Sequence, residues 1–243
     1  MDYLLLLSTI VLGAACVFLF RLHEPRQVKL LNAFTGAYLL CLTVLHLLPE
    51  LYHSGSGDHG NSNWRIGALI LAGFFIQVAL DVISMGVEHG HAHHIHGHLP
   101  IGVMAGLCVH ALVEAMALGN RGTHFDPESR RLLLWSIVLH NFPVSIALLG
   151  MLLQTGMPRG RALALLGLFA AMAPLGMSIS AHTVLASFSR ELMAVVIGIF
   201  MHISTTILFE TSDVHRFNVA KLGAIALGVG LGVVTVLFHG GAS

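Results

Sequence analysis

The sequence predicts an all-α polytopic membrane protein, a bundle of eight transmembrane helices. Three observations carry that expectation. Hydrophobic residues make up 56% of the chain and charged residues 10%, with a mean hydropathy of +0.82, which excludes the balance of a water-soluble domain. The apolar residues gather into runs that are each close to the ~20 residues needed to cross a bilayer. The stretches between the runs are short, so residues 1–243 read as one transmembrane domain with no soluble appendage.

Taken in order, the first run covers about 4–20, after Asp2 and before Arg21, Arg26 and Lys29. It lacks the basic start of a cleaved leader and is expected to remain as a helix. Further runs follow at about 30–51, 66–87, 101–119, 132–153, 162–182, 191–209 and 220–238. With the N-terminus outside, the inner loops hold Arg21, Arg26, Lys29, Arg159, Arg161, Arg216 and Lys221. The outer ones hold Arg65, Arg121, Arg130, Arg131 and Arg190. The early basic cluster weighs most, because the first helix usually sets orientation. A multi-pass protein of the cell (inner or plasma) membrane with both termini outside is therefore expected. Gly102 and Gly106, and Gly228 and Gly232, have the GxxxG spacing of closely packed helices, a spacing that chance also produces among 26 glycines. The net charge of +0 gives no footprint for nucleic acid. Cys16, Cys41 and Cys108 fall in separate apolar runs, an odd count that argues against a disulfide framework.

Polar residues inside the apolar runs point to function, because hydrocarbon makes them costly. His110 and Glu114 stand four residues apart, on one face of the fourth helix. They are open to two readings, a buried hydrogen-bonded pair that fixes packing or part of a cation site. Imidazole with carboxylate suits zinc and similar divalent ions. The fifth run adds His140, and Asn141 offers an amide oxygen beside it. Pro143 cannot donate to the carbonyl one turn back. Less decisive are His46 and Glu50 at the end of the second run, read as solvated end groups or accessory metal ligands. Asp81 and Glu210 read as helix-end charges, and His202 as a satisfied core histidine or an extra ligand.

Histidine is the compositional anomaly, at 17 residues against 12 Lys and Arg. Residues 88–98 carry His89, His91, His93, His94, His96 and His98. Neutral imidazoles in such density suggest a metal-binding loop, with a pH-sensitive loop or plain low complexity as alternatives. His53, Asp58 and His59 form a weaker version of the same pattern.

These segments together resemble the ZIP family of metal-ion transporters. His110, Glu114 and the tail Ala115-Met116-Ala117-Leu118-Gly119 resemble its fourth-helix motif. His140-Asn141-Phe142-Pro143 is similar to the fifth-helix motif, and Ala173-Pro174-Leu175-Gly176 to the sixth-helix Pro-Leu-Gly. Gly198-Ile199-Phe200-Met201-His202 with Glu210 resembles the seventh, and His46-Leu47-Leu48-Pro49-Glu50 the second. The resemblance spans nearly the whole chain and places the His-rich loop in the cytoplasm. It implies a transporter, not an enzyme, that moves Zn²⁺ as its substrate, with Fe²⁺, Mn²⁺ or Cd²⁺ as further cargoes. No organic cofactor is implied, and the partners are metal ions, the lipid bilayer and, as an option, a second copy of the chain in a homodimer.

The resemblance also implies alternating access of the elevator type, with helices one, four, five and six sliding against two, three, seven and eight. The chain departs from the two-metal members of the family. Ala111 stands where they tend to have Asn, Val144 where they have a carboxylate, and Ala173 where they have an acid. One intramembrane ion, on His110, Glu114 and His140 with Asn141, is therefore expected. A metal sensor or transport-inactive relative is the alternative function. An intramembrane metalloenzyme is disfavoured, since no His-Glu-x-x-His is present.

Overall fold

A computed structural model describes residues 2–20, 25–53, 61–84, 101–119, 127–209 and 219–239. The described residues are helical apart from short turns, and eight of their segments are long and apolar enough to cross a membrane. The chain is an all-α polytopic membrane protein. The first span is α1 (Asp2–Phe20). The second combines α2 (Pro25–Leu42), a π-helical turn (Thr43–Leu47) and α3 (Leu48–His53). Then come α4 (Asn61–Ser84), α5 (Ile101–Gly119), α6 (Pro127–Gln154), α7 (Arg159–His182), α8 (Ser189–Phe209) and α9 (Val219–His239).

Local chemistry explains the interruptions. Pro49 has no N–H for the carbonyl of Leu45, and the strain is taken up just before it as a π turn in which Leu48 N–H bonds to Thr43 O. Helix α6 ends where Gly156 enters the left-handed region at φ 79°, open to glycine without strain, and Pro158 then stands immediately ahead of α7. Buried hydroxyls bond back to carbonyls one turn earlier, as Ser136 does to Leu132 O at 2.8 Å and Ser204 to Phe200 O at 2.6 Å. That satisfies them where neither lipid nor a neighbouring helix has to.

Packing sorts the helices into two groups. The most extensive contacts join α5 to α7 and α1 to α6 on one side, and α2 to α9 and α4 to α8 on the other. Lipid gives no hydrophobic gain for helix association, so close backbone approach has to supply the attraction. Glycines allow it within each pair. A Cβ on Gly176 or Gly119 would run into the carbonyl of Leu112 or Met177, between α5 and α7. Gly198 and Gly73 meet Ile70 O and Val195 O in the same way, between α4 and α8. In α9 the spacing of Gly228 and Gly232 is used against α2, where they face Phe34 O and Cys41. The groups meet along α4–α5 and α2–α6, with a smaller contact of α5 with α8.

Candidate metal site

The i,i+4 spacing does what a helix requires of it. His110 and Glu114 project from one face of α5, both fully buried, with Nε2 and Oε2 3.6 Å apart. His140, on α6, brings its ring edge-on to that of His110, centroids 5.9 Å apart at 83°. It is 1% exposed and Asn141 beside it 2%. Asn141 Oδ1 is buried without a hydrogen-bond partner among the described residues. A buried oxygen left unmatched in this way leaves an acceptor that a cation or water can satisfy. Pro143 lies inside α6, so the carbonyl of Leu139, next to His140, receives no amide donor from position 143.

The surroundings are dry. One apolar cluster includes Ala115, Leu118 and Ile137, and a second includes Leu107, Ala111 and Val144. Glu114 and His140 fall at the change from one cluster to the other along α5 and α6. Ala111, Val144 and Ala173 are buried, and none carries a side-chain ligand atom.

The distance between His110 and Glu114 has a chemical meaning. At 3.6 Å it is too long for a hydrogen bond. Two atoms each ~2.1 Å from a shared tetrahedral ion stand about 3.4 Å apart, so the pair has nearly the spacing of two ligands of one ion. Among the described residues, no three His, Cys, Asp or Glu side chains are gathered closely enough to hold a metal by themselves. In this conformation the cluster is an assembled pair with a third imidazole adjoining.

Gln77, on the buried face of α4 with Gly73 and Leu80, was not foreseen from the sequence. It is fully buried, and its Oε1 accepts a 3.0 Å hydrogen bond from His110 Nδ1–H. Its advance signal was a polar amide within a largely apolar run.

The other candidates lie elsewhere. His46 sits in the π turn, and its Nε2 is hydrogen-bonded to Ser129 Oγ of α6 at 2.9 Å. Glu50 follows one turn later, half-buried. Neither bonds to the His110 cluster among the described residues. His202 of α8 faces α4, with Asp81 at 3.9 Å and the ring of Phe74 edge-on at 5.0 Å. Asp81 thus meets a histidine of α8 inside the bundle. The exposed His53 bonds to Pro49 O within α3. His89, His91, His93, His94, His96, His98, Asp58, His59 and Glu210 lie outside the described residues.

A family model described as ZIP Zinc transporter matches residues 88–237, more than half of the chain. The chain belongs to the ZIP family. That match takes in α5 to α8 and most of α9, and with them His110, Glu114, His140 and Asn141, while Gln77 lies ahead of it. Among curated ZIP proteins, Zinc transporter ZIP9-B of Xenopus laevis is 28% identical over 83% of this chain and 67% of its own length. Zinc transporter ZIP9 of Xenopus tropicalis is 26% identical over 72% of this chain and 62% of its own length. Zinc transporter ZIP9 of Micropogonias undulatus is 26% identical over 63% and 54% respectively. The chain thus spans roughly half to two thirds of the length of these ZIP relatives.

Proposed function

We propose that this chain carries a divalent metal ion through the membrane towards the cytosol, zinc first among the candidates, with His110, Glu114 and His140 and the amide oxygen of Asn141 as its ligands. The single observation that carries the reading is the 3.6 Å separation of His110 Nε2 and Glu114 Oε2 in a site closed to water. Family membership and the naming of the relatives as zinc transporters support zinc as the first ion to test.

Transport needs no covalent chemistry. The ion sheds water, gains one carboxylate and neutral donors, and leaves when the site opens on the other side. A single carboxylate with neutral donors suits one ion, since two cations a few Å apart need several carboxylates to offset their repulsion. The grouping of α1, α5, α6 and α7 apart from α2, α4, α8 and α9 supports movement of one group against the other. Ligands from the first group then travel with the ion.

The test is uptake of zinc into proteoliposomes of known orientation. Wild-type chain is expected to take up zinc, and Glu114→Ala to lose most of that flux, because lipid cannot replace a lost ligand. Wild-type flux from Glu114→Ala would remove the proposal. Tight His110-dependent zinc binding without uptake would favour the metal-sensor reading instead.

A further inference from the structure

Polar ties cross between the two helix groups, and one of them ends on the metal site. Within the first group, Arg130 of α6 donates to Asp2 of α1 at 2.6 Å and to Leu118 O of α5 at 3.0 Å. Within the second, Arg190 of α8 donates to Leu51 O of α3 at 3.2 Å. The bond from His110 Nδ1–H to Gln77 Oε1 crosses from α5 to α4, with both residues fully buried. We infer that Gln77 is a positioning residue for the metal site: from the facing helix group it holds His110 in the Nδ1–H tautomer with Nε2 turned to Glu114, so that ion affinity depends on the register of α5 beside α4.

A neutral imidazole carries one N–H and one lone pair, and whichever nitrogen donates leaves the other to bind metal. Gln77 Oε1 is an acceptor, so it fixes the proton on Nδ1 and leaves the lone pair on Nε2. That is the nitrogen 3.6 Å from Glu114 Oε2. Metal-binding histidines are generally held this way through their second nitrogen. Here the holding group comes from α4, whose extensive packing is with α8, whereas that of α5 is with α7. A shift of α5 by one helical turn, ~5.4 Å, breaks a 3.0 Å bond and frees the ring to rotate or change tautomer. The site is then firm in one register and loose in another, which a carrier needs in order to release its ion. The inference rests on the proposed transport reading for its consequence, but not for the state of the ring.

Two measurements on the full-length chain test it. The first is nitrogen NMR of histidine-labelled, metal-free protein in lipid, with the His110 signals assigned by their loss in His110→Asn. Wild type is expected to show an Nδ1–H imidazole at His110. Gln77→Leu should give mixed or Nε2–H tautomers, and Gln77→Glu should keep Nδ1–H. The second is zinc uptake kinetics. Gln77→Leu should raise KM about 10- to 100-fold with Vmax retained, the scale of a lost orienting partner. Gln77→Glu, which keeps an acceptor, should recover most of that loss. A residue that merely fills space would lower Vmax and thermal stability together and leave KM and the tautomer alone. Gln77→Met, of similar volume, replaces the leucine variant if the latter does not fold. An unchanged His110 tautomer and KM in Gln77→Leu or Gln77→Met overturn the inference, as does a Gln77→Glu variant as impaired in KM as Gln77→Leu. If wild type takes up no zinc, or uptake ignores His110→Ala, the transport reading fails while the NMR result still decides the role of Gln77.

Discussion

The seam between α5 and α7 and the seam between α4 and α5 are built in different ways. At the first, Gly119 and Gly176 bring backbone against backbone, and a Cβ at either position would meet a carbonyl of the other helix. At the second, a buried side-chain hydrogen bond, Gln77–His110, crosses between the helices. The α2–α6 seam repeats the second pattern, with His46 and Ser129 joined across it. Gly102 is the exception: a Cβ there would come within 2.8 Å of Ile83 O, so α4 and α5 do touch closely at one end. Backbone-sealed seams fix helices together, because sliding drives carbonyls into Cα atoms. Side-chain seams exchange one hydrogen bond for another at small net cost. The site lies where the two kinds of seam meet, which is the arrangement the proposed movement of one group against the other needs.

Neighbouring residues of α6 give the largest expected effect. Ser129 reaches across to His46, while Arg130 reaches back to Asp2 in its own group. In a chain lacking native cysteines, a short bismaleimide between His46→Cys and Ser129→Cys should trap one state and cut zinc flux roughly tenfold or more. The same reagent between Asp2→Cys and Arg130→Cys should leave most of the flux. Equal loss in both would erase the distinction between seams.

Next in size is a side chain forced into a sealed seam. Gly198→Leu pushes carbon into Ile70 O and Phe74 N and should cost about 1–3 kcal/mol or more, read as a lower melting temperature in detergent. The His-rich loop should matter less. Replacing His89, His91, His93, His94, His96 and His98 with Ser should lower total metal binding while substantial uptake remains, and complete loss of uptake in a well-expressed variant would make the loop part of the pathway. Smallest is Ser129→Ala, which removes the hydrogen bond to His46, worth about 1 kcal/mol, and should move the melting temperature least.

Much of this was legible in the sequence, for identifiable reasons. The spans follow from composition, and the His110–Glu114 pair from a spacing that only a helix makes meaningful. The GxxxG spacing in α9 pointed to close packing without naming α2 as the partner. The lone glycines Gly73, Gly119, Gly176 and Gly198 carry no such announcement, because each contact is defined by a partner on another helix. Gln77 escaped for the same reason: its partner lies 33 residues away. Asp81 and His202 read separately as an end charge and a core histidine, and only tertiary packing sets them 3.9 Å apart. The π turn ahead of Pro49 was not read from the sequence, because whether a proline kinks a helix or is absorbed by a π turn depends on the packing around it.

The central claim is that one divalent ion sits between α5 and α6, on ligands that His110 and Glu114 already hold at coordination spacing. An anomalous-scattering map of the zinc-soaked protein tests it most directly. One peak is expected in the membrane-spanning region, ~2.0–2.2 Å from His110 Nε2 and a Glu114 oxygen, with His140 or Asn141 completing the shell. Two adjacent peaks between α5 and α6, or a single peak away from Glu114, would contradict it.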